Sequence, residues 1–183
     1  MGTISIISGR HKGRKLKVLD SPGLRPTTDR VQETVFNWLQ FKLDSVTCLD
    51  LFAGTGALGF EAASRYAESV LMVEQSASVA DALKKNITVI GAGNISVITG
   101  DALQLVSKPN TYSPFDVIFL DPPYHHDLLP KAAALLDCNG FLHGGSIVYV
   151  EHAIDETPEL PKDWQQTRTA KAGQCVYSLY VKL

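Results

Sequence analysis

One ten-residue stretch limits the folds open to this chain more than any other: Phe115-Asp116-Val117-Ile118-Phe119-Leu120-Asp121-Pro122-Pro123-Tyr124. Its first half is a short apolar run, β-branched and aromatic, too short for a helix and suited to a buried strand. Two consecutive prolines then end any ladder, and the first holds Asp121 in an extended backbone. Around this stretch the pattern alternates strand and helix. Strands are expected at 46–52, 69–74, 94–99, 115–120 and 146–151, with helices at 60–65, 76–90 and 128–136 between them. Two further strands, at 165–171 and 175–182, are joined near Gly173. Such alternation closing on a hairpin predicts an α/β domain with a mostly parallel sheet and an antiparallel C-terminal end. In open sheets of this kind, ligands bind at the carboxyl edge of the strands, where Asp121 falls.

Asp121-Pro122-Pro123-Tyr124 suits a planar ring that carries an exocyclic amine. The Asp121 carboxylate can accept one amine hydrogen and a backbone carbonyl, that of Pro122, the other. Tyr124 offers a face for the ring to stack on, and proline rigidity sets the geometry beforehand. A strand followed by a proline-rich turn with an exposed tyrosine is the plainer alternative.

A second constraint follows the 46–52 strand. Gly54-Thr55-Gly56-Ala57-Leu58-Gly59 is a GxGxxG turn opening a helix, and Glu74 lies 20 residues beyond Gly54, where a ribose-binding acid is expected. Alone, this turn does not separate a nicotinamide dinucleotide from S-adenosylmethionine, since both need close backbone approach and both present ribose hydroxyls. Acidity tips the balance. Asp50, Glu74, Asp101 and Asp121 all fall at or near the ends of expected parallel strands. They would repel a pyrophosphate and favour a sulfonium bearing an α-amino group. A single carboxylate in such a place is often a helix N-cap.

The 183 residues fit one domain, and 45% hydrophobic with 20% charged residues is an ordinary globular composition. We expect a single domain over 1–183, with an extension at 1–43 and a catalytic core at 44–183. The net charge of −2 hides an asymmetry: residues 1–42 hold eight Lys/Arg against three acids, a net of +5, leaving −7 for the remainder. Two short strands, 4–9 and 16–19, flank a turn carrying Arg10, Lys12 and Arg14 between glycines; Arg25 and Arg30 follow. That polarity points to an anionic partner such as nucleic acid, or to a solvated basic face. A helix over 29–43 buries Val31, Val35, Trp38 and Leu39. Cys48, Cys138 and Cys175 are odd in number and unclustered, which suggests buried thiols in a reducing compartment. No metal site is expected. His125 and His126 read as surface residues that could touch RNA. With no apolar stretch of membrane-spanning length and no signal-peptide core at the N-terminus, the expectation is a cytoplasmic protein away from membranes.

Asp50–Gly59, the run Glu61-Ala62-Ala63-Ser64-Arg65, and Asp121–Tyr124 together resemble class I methyltransferases that act on exocyclic amines of nucleic acids. Gly9–Arg14 and Arg25–Asn37 are similar to the opening of the bacterial small-subunit (16S) rRNA guanine-N2 methyltransferase D family. The likeness covers almost the whole chain and weakens near 153–170. It implies a Rossmann-like class I methyltransferase fold with a seven-stranded sheet, S-adenosylmethionine as cofactor, and ribosomal RNA as partner, within the small subunit or an assembly intermediate. It further implies that Asp50 and the Phe52, Ala53, Gly54, Thr55 and Gly56 turn hold the methionine part, assisted by Thr27 and Thr28. Glu74 would hold the ribose, and Asp101 with Ala102 the adenine. Asp121, Pro122 and Tyr124 would receive the guanine, while Arg10, Lys12, Arg14, Arg25 and Arg30 bind RNA. A monomer is the default expectation, with oligomeric state open. Other amine substrates, a DNA adenine or a protein glutamine, remain alternatives, as does a nicotinamide-dependent oxidoreductase on the same glycine turn.

Overall fold

The computed structural model describes residues 2–19 and 29–183. The elements in chain order are β1 (Gly2–Ser5), β2 (Lys15–Val18), α1 (Asp29–Trp38), β3 (Thr47–Asp50), α2 (Ala57–Ser64), β4 (Ser69–Glu74) and α3 (Ala77–Ile90). They continue with β5 (Ile95–Thr99), α4 (Ala102–Val106), β6 (Phe115–Leu120), α5 (Leu128–Cys138), β7 (Leu142–Ala153), β8 (Trp164–Ala172) and β9 (Cys175–Lys182). Seven strands form one sheet in the order β5-β4-β3-β6-β7-β9-β8, and β1 pairs with β2 as a separate antiparallel hairpin. Pairings from β5 through β7 are parallel, while β9 runs antiparallel to both β7 and β8. The expected α/β architecture, including its antiparallel end, is therefore present.

Alternation along the central strands divides the core into two layers. Cys48, Val70, Met72, Val117, Phe119, Ile147 and Tyr149 face α1, α2, α3 and the N-terminal hairpin. Leu49, Leu71, Val73, Ile118, Leu120, Val148 and Val150 face the opposite way, onto α4 and α5. A strand covered on both faces must be apolar at every position, which is why the 115–120 run reads as continuous rather than alternating.

Several boundaries differ from the sequence expectation, each for a local reason. β1 ends at Ser5, not Gly9, because the Ile7 and Ser8 amides leave the hairpin to donate to the Glu61 carboxylate at 2.7 and 3.0 Å. α1 stops at Trp38; Lys42 donates to the Leu39 carbonyl instead, in a turn that keeps Leu39 and Leu43 buried while Phe41 is exposed. α2 begins three residues earlier than expected, directly from the glycine turn. The five-residue α4 has no periodicity to find; it is set by Asp101, whose Oδ1 accepts the Gln104 N–H at 2.7 Å. Of the three cysteines, all free, Cys48 is buried and Cys175 half-buried. Cys138 is exposed, correcting the expectation of a packing residue, because it ends α5 on the helix's outer side. Among the described residues, no helix is long and apolar enough to cross a membrane.

Candidate active site

The strand order reverses between β3 and β6: from β3 the chain winds outward to β4 and β5, then returns to β6 on the other side of β3. Crevices form at the carboxyl ends of such adjacent strands, because their following loops turn to opposite faces. A cavity of about 1000 Å³ opens there. Its lining includes Asp50 and the Phe52–Thr55 turn after β3, Glu74 at the end of β4, Asp101 and Ala102 after β5, and Asp121, Pro122 and Tyr124 after β6. Arg30, at the start of α1, also borders it. The sequence candidates from four separate strand ends thus meet around one space. Arg10, Lys12 and Arg14 do not line it. Thr27, Thr28 and Arg25 lie outside the described residues.

The glycine turn is held from below by two acids. Glu74 Oε2 accepts the Gly54 N–H at 3.0 Å, and its Oε1 accepts the Ser76 N–H at 2.7 Å. Each carboxylate oxygen retains a further lone pair for a ligand hydroxyl. Asp50 is 2% exposed and its Oδ2 accepts the Gly59 N–H at 3.0 Å, tying β3 to the first turn of α2. Burial raises the Asp50 pKa to about 7, the Gly59 hydrogen bond opposing the shift and the charge on Glu74 adding to it. Gly59 packs closely, for a Cβ there would stand 2.4 Å from Met72 Cε on β4 and 3.0 Å from Asp50 Oδ2, so the end of the Met72 side chain would have to move. Gly56 enters α2 with φ 79°, a left-handed value that suits glycine.

On the other side of the cavity, Tyr124 is fixed by a residue to which the sequence reading gave no role. Its hydroxyl donates to Glu151 Oε1 at 2.5 Å, and the Tyr149 hydroxyl donates to Glu151 Oε2 at 2.6 Å. Glu151 is 7% exposed and lies on β7, the strand beside β6, where its register partner is Tyr177 of β9. Burial, then the hydrogen bond and charge of Glu151, push the Tyr124 pKa far above its ordinary value, so the phenol stays neutral. Its signal was available, for Glu151 also falls at the carboxyl end of a parallel strand. His125 and His126 are exposed beside the motif, and the His125 N–H donates to Glu156 at 2.8 Å.

The donor set suits S-adenosylmethionine. Carboxylates at Glu74 and Asp101 can meet ribose and adenine groups, a side-chain-poor backbone runs through Ala53–Gly56, and Asp50 offers a negative charge for an α-amino group. A pyrophosphate would find five carboxylates, Asp50, Glu74, Asp101, Asp121 and Glu151, around the same cavity against the two cations Arg30 and Lys171 among its described lining residues.

Comparison with known proteins agrees with this chemistry. The model of a family described as Conserved hypothetical protein 95 matches residues 4–181. The Escherichia coli ribosomal RNA small subunit methyltransferase D is 44% identical over 180 residues, covering 98% of this chain and 90% of the relative. The Haemophilus influenzae protein of the same name is 42% identical over 181 residues, covering 98% and 94%. A solved structure, the "Putative methyltransferase yhhF" from Escherichia coli, matches with a TM-score of 0.90 at 42% identity, over 99% of this chain and 98% of that one.

Proposed function

The chain belongs to the ribosomal RNA small subunit methyltransferase D family, class I enzymes whose cofactor is S-adenosylmethionine, and from that premise we propose its substrate. It methylates the exocyclic N2 amine of a guanine in small-subunit ribosomal RNA, as a cytoplasmic monomer acting on the subunit or an assembly intermediate. The nicotinamide-dependent alternative falls with family membership. The observation that carries the guanine reading is the meeting, around one cavity, of the cofactor-type acids and glycine turn with the Asp121-Pro122-Pro123-Tyr124 amine site.

When bound, the cofactor supplies an electrophilic methyl group on a sulfonium. Glu74, Asp101, Ala102 and the Phe52–Gly56 backbone would hold it, with Asp50 toward its amino group; the roles of Thr27 and Thr28 are carried over from the family. The guanine N2 lone pair is delocalised into the ring and is a poor nucleophile. Asp121 and the Pro122 carbonyl accept the two amine hydrogens, which orients the nitrogen and favours a more tetrahedral geometry. Tyr124, its hydroxyl anchored on Glu151, gives the base a fixed surface to stack on. Orientation of this kind is worth about 7–11 kcal/mol of barrier. Methylation places positive charge on the nitrogen and weakens its hold on the proton; Asp121 stabilises that charge and takes the proton.

The test is methyl incorporation from labelled cofactor into two substrates, small ribosomal subunits from cells lacking the enzyme and protein-free small-subunit RNA, followed by nucleoside analysis. N2-methylguanosine in either supports the reading and tells which substrate is used. Label in another nucleoside, or in neither substrate, overturns it.

A further inference from the structure

α2 closes with paired backbone hydrogen bonds: the Ala67 N–H donates to the Ala62 carbonyl at 3.2 Å, and the Tyr66 N–H to the Ala63 carbonyl at 3.3 Å. In this Schellman arrangement the residue in Tyr66's place adopts a left-handed backbone and is usually glycine. Tyr66 has φ 71°. A bulky residue there is a steric outlier. The other backbone contact of Tyr66, accepting the Ser45 N–H at 3.0 Å, needs no ring. Nor is the ring core material, for Tyr66 is 51% exposed.

What the ring carries is Arg10, whose guanidinium carbon stands 5.5 Å from its centroid. The backbone around Arg10 is fixed against the same helix end. The Arg10 N–H donates to the Ser64 carbonyl at 2.7 Å, and the His11 N–H to Ser64 Oγ at 2.9 Å. At Gly9 a Cβ would lie 1.9 Å from the Ser64 carbonyl oxygen, so the approach is closed to any other residue. Exposed Lys12 and Arg14 complete the turn. An exposed arginine stacked on an aromatic ring, both held by backbone, is a ready-made stack on which an unpaired base can be added while the guanidinium reaches a phosphate.

We propose that Arg10 and Tyr66 form a second nucleotide-binding point, receiving an unpaired base and its phosphate from the RNA substrate outside the catalytic cavity. This rests on the reading of the substrate as RNA. The eight residues of α2 separate Tyr66 from the glycine turn, about 12 Å of helix. The platform therefore grips RNA at the C-terminal end of the buried α2, some way from the reacting base.

Protein-free small-subunit ribosomal RNA is the probe, titrated at several salt concentrations against the full chain. Tyr66→Gly and Tyr66→Asn both suit a left-handed backbone without a ring. Each should hold or raise the melting temperature and weaken RNA binding about five- to tenfold, with an unchanged salt slope. Arg10→Gln should weaken binding and flatten the log–log salt slope by about 0.7–0.9, one phosphate contact. Wild-type affinity in both Tyr66 variants overturns the platform, as does a fall in melting temperature, which would make the ring a packing group. If the wild-type chain acts on the small subunit and not on protein-free RNA, the same titrations are read on subunits from cells lacking the enzyme; if it neither binds nor methylates either substrate, it is the RNA reading that falls instead.

Discussion

Asp50→Asn should separate folding from cofactor binding. Asp50 is buried at the end of β3 and its pKa is raised to about 7, from 3.8 in an unfolded chain. A native state that binds its proton more tightly than the unfolded state loses stability as pH rises between those two values. At about 1.4 kcal/mol per pKa unit, the penalty reaches roughly 4 kcal/mol above neutrality, an upper figure because local relaxation reduces it. Asparagine cannot ionise, yet its carbonyl can still accept the Gly59 N–H. The variant should therefore be more stable than wild type, and its advantage should grow by roughly 2–3 kcal/mol between about pH 5 and about pH 8. Urea unfolding at the two pH values measures this. Calorimetry with S-adenosylmethionine should show weaker binding in the variant and, in wild type, affinity that rises with pH through neutrality as the carboxylate ionises to meet the ligand's cationic groups. An advantage that does not change with pH, or unaltered cofactor affinity, would refute the assignment of Asp50 as a strained, ligand-directed acid.

Asp121→Ala should lower turnover by about a hundredfold or more while cofactor affinity stays near wild type, because the proposed mechanism sets Asp121 against the amine rather than the cofactor; near-normal methyl transfer by a folded variant would remove it from the mechanism. Glu74→Ala should weaken S-adenosylmethionine binding by roughly 1.5–3 kcal/mol in calorimetry, and by more if release of the Gly54 and Ser76 amides loosens the turn; unchanged affinity would leave Glu74 as a clamp for that turn alone. Glu151 acts through Tyr124, so Glu151→Gln should lower kcat/KM in wild type and cost little further in a Tyr124→Phe background; additive losses in this double-mutant cycle would mean that Glu151 acts on substrate directly.

The candidate site was legible in sequence to the extent that short motifs and strand ends encode it. β4 and β9 were read to the residue, and β6 with its proline stop identified the central edge. The glycine turn was legible because its backbone takes left-handed values that favour glycine, φ 51° at Gly54 and 79° at Gly56. Asp101 was a mixed case: it borders the cavity and also caps α4, so the plainer capping reading holds for it whatever it does for a cofactor. Glu151 carried the same strand-end signal as the other acids but was missed because its importance is a pairing fact. Nothing local to β7 says that its carboxylate meets a phenol 27 positions earlier in the chain. Tyr66 was missed because a left-handed backbone at a non-glycine residue leaves no mark in composition or periodicity.

Glu61 was quoted in the sequence as part of a motif, and the structure gives it a physical task that changes how the N-terminal segment is understood. Its carboxylate is fully buried and accepts the Ile7 and Ser8 amides, Arg65 Nε at 2.6 Å and Gln32 Nε2 at 3.4 Å. An acid in that position is tolerable only with its charge and lone pairs met. The partners come from the hairpin side, α1 and α2 itself, so hairpin and glycine-turn helix are solved as one unit. Ile4, Ile6 and Leu16 enter the same apolar cluster as Val35, Phe36 and Phe119. The basic turn is thus no loose arm. It is carried on the helix whose other end borders the cavity at the carboxyl edge of the sheet, so that any force applied at Arg10 is borne by α2.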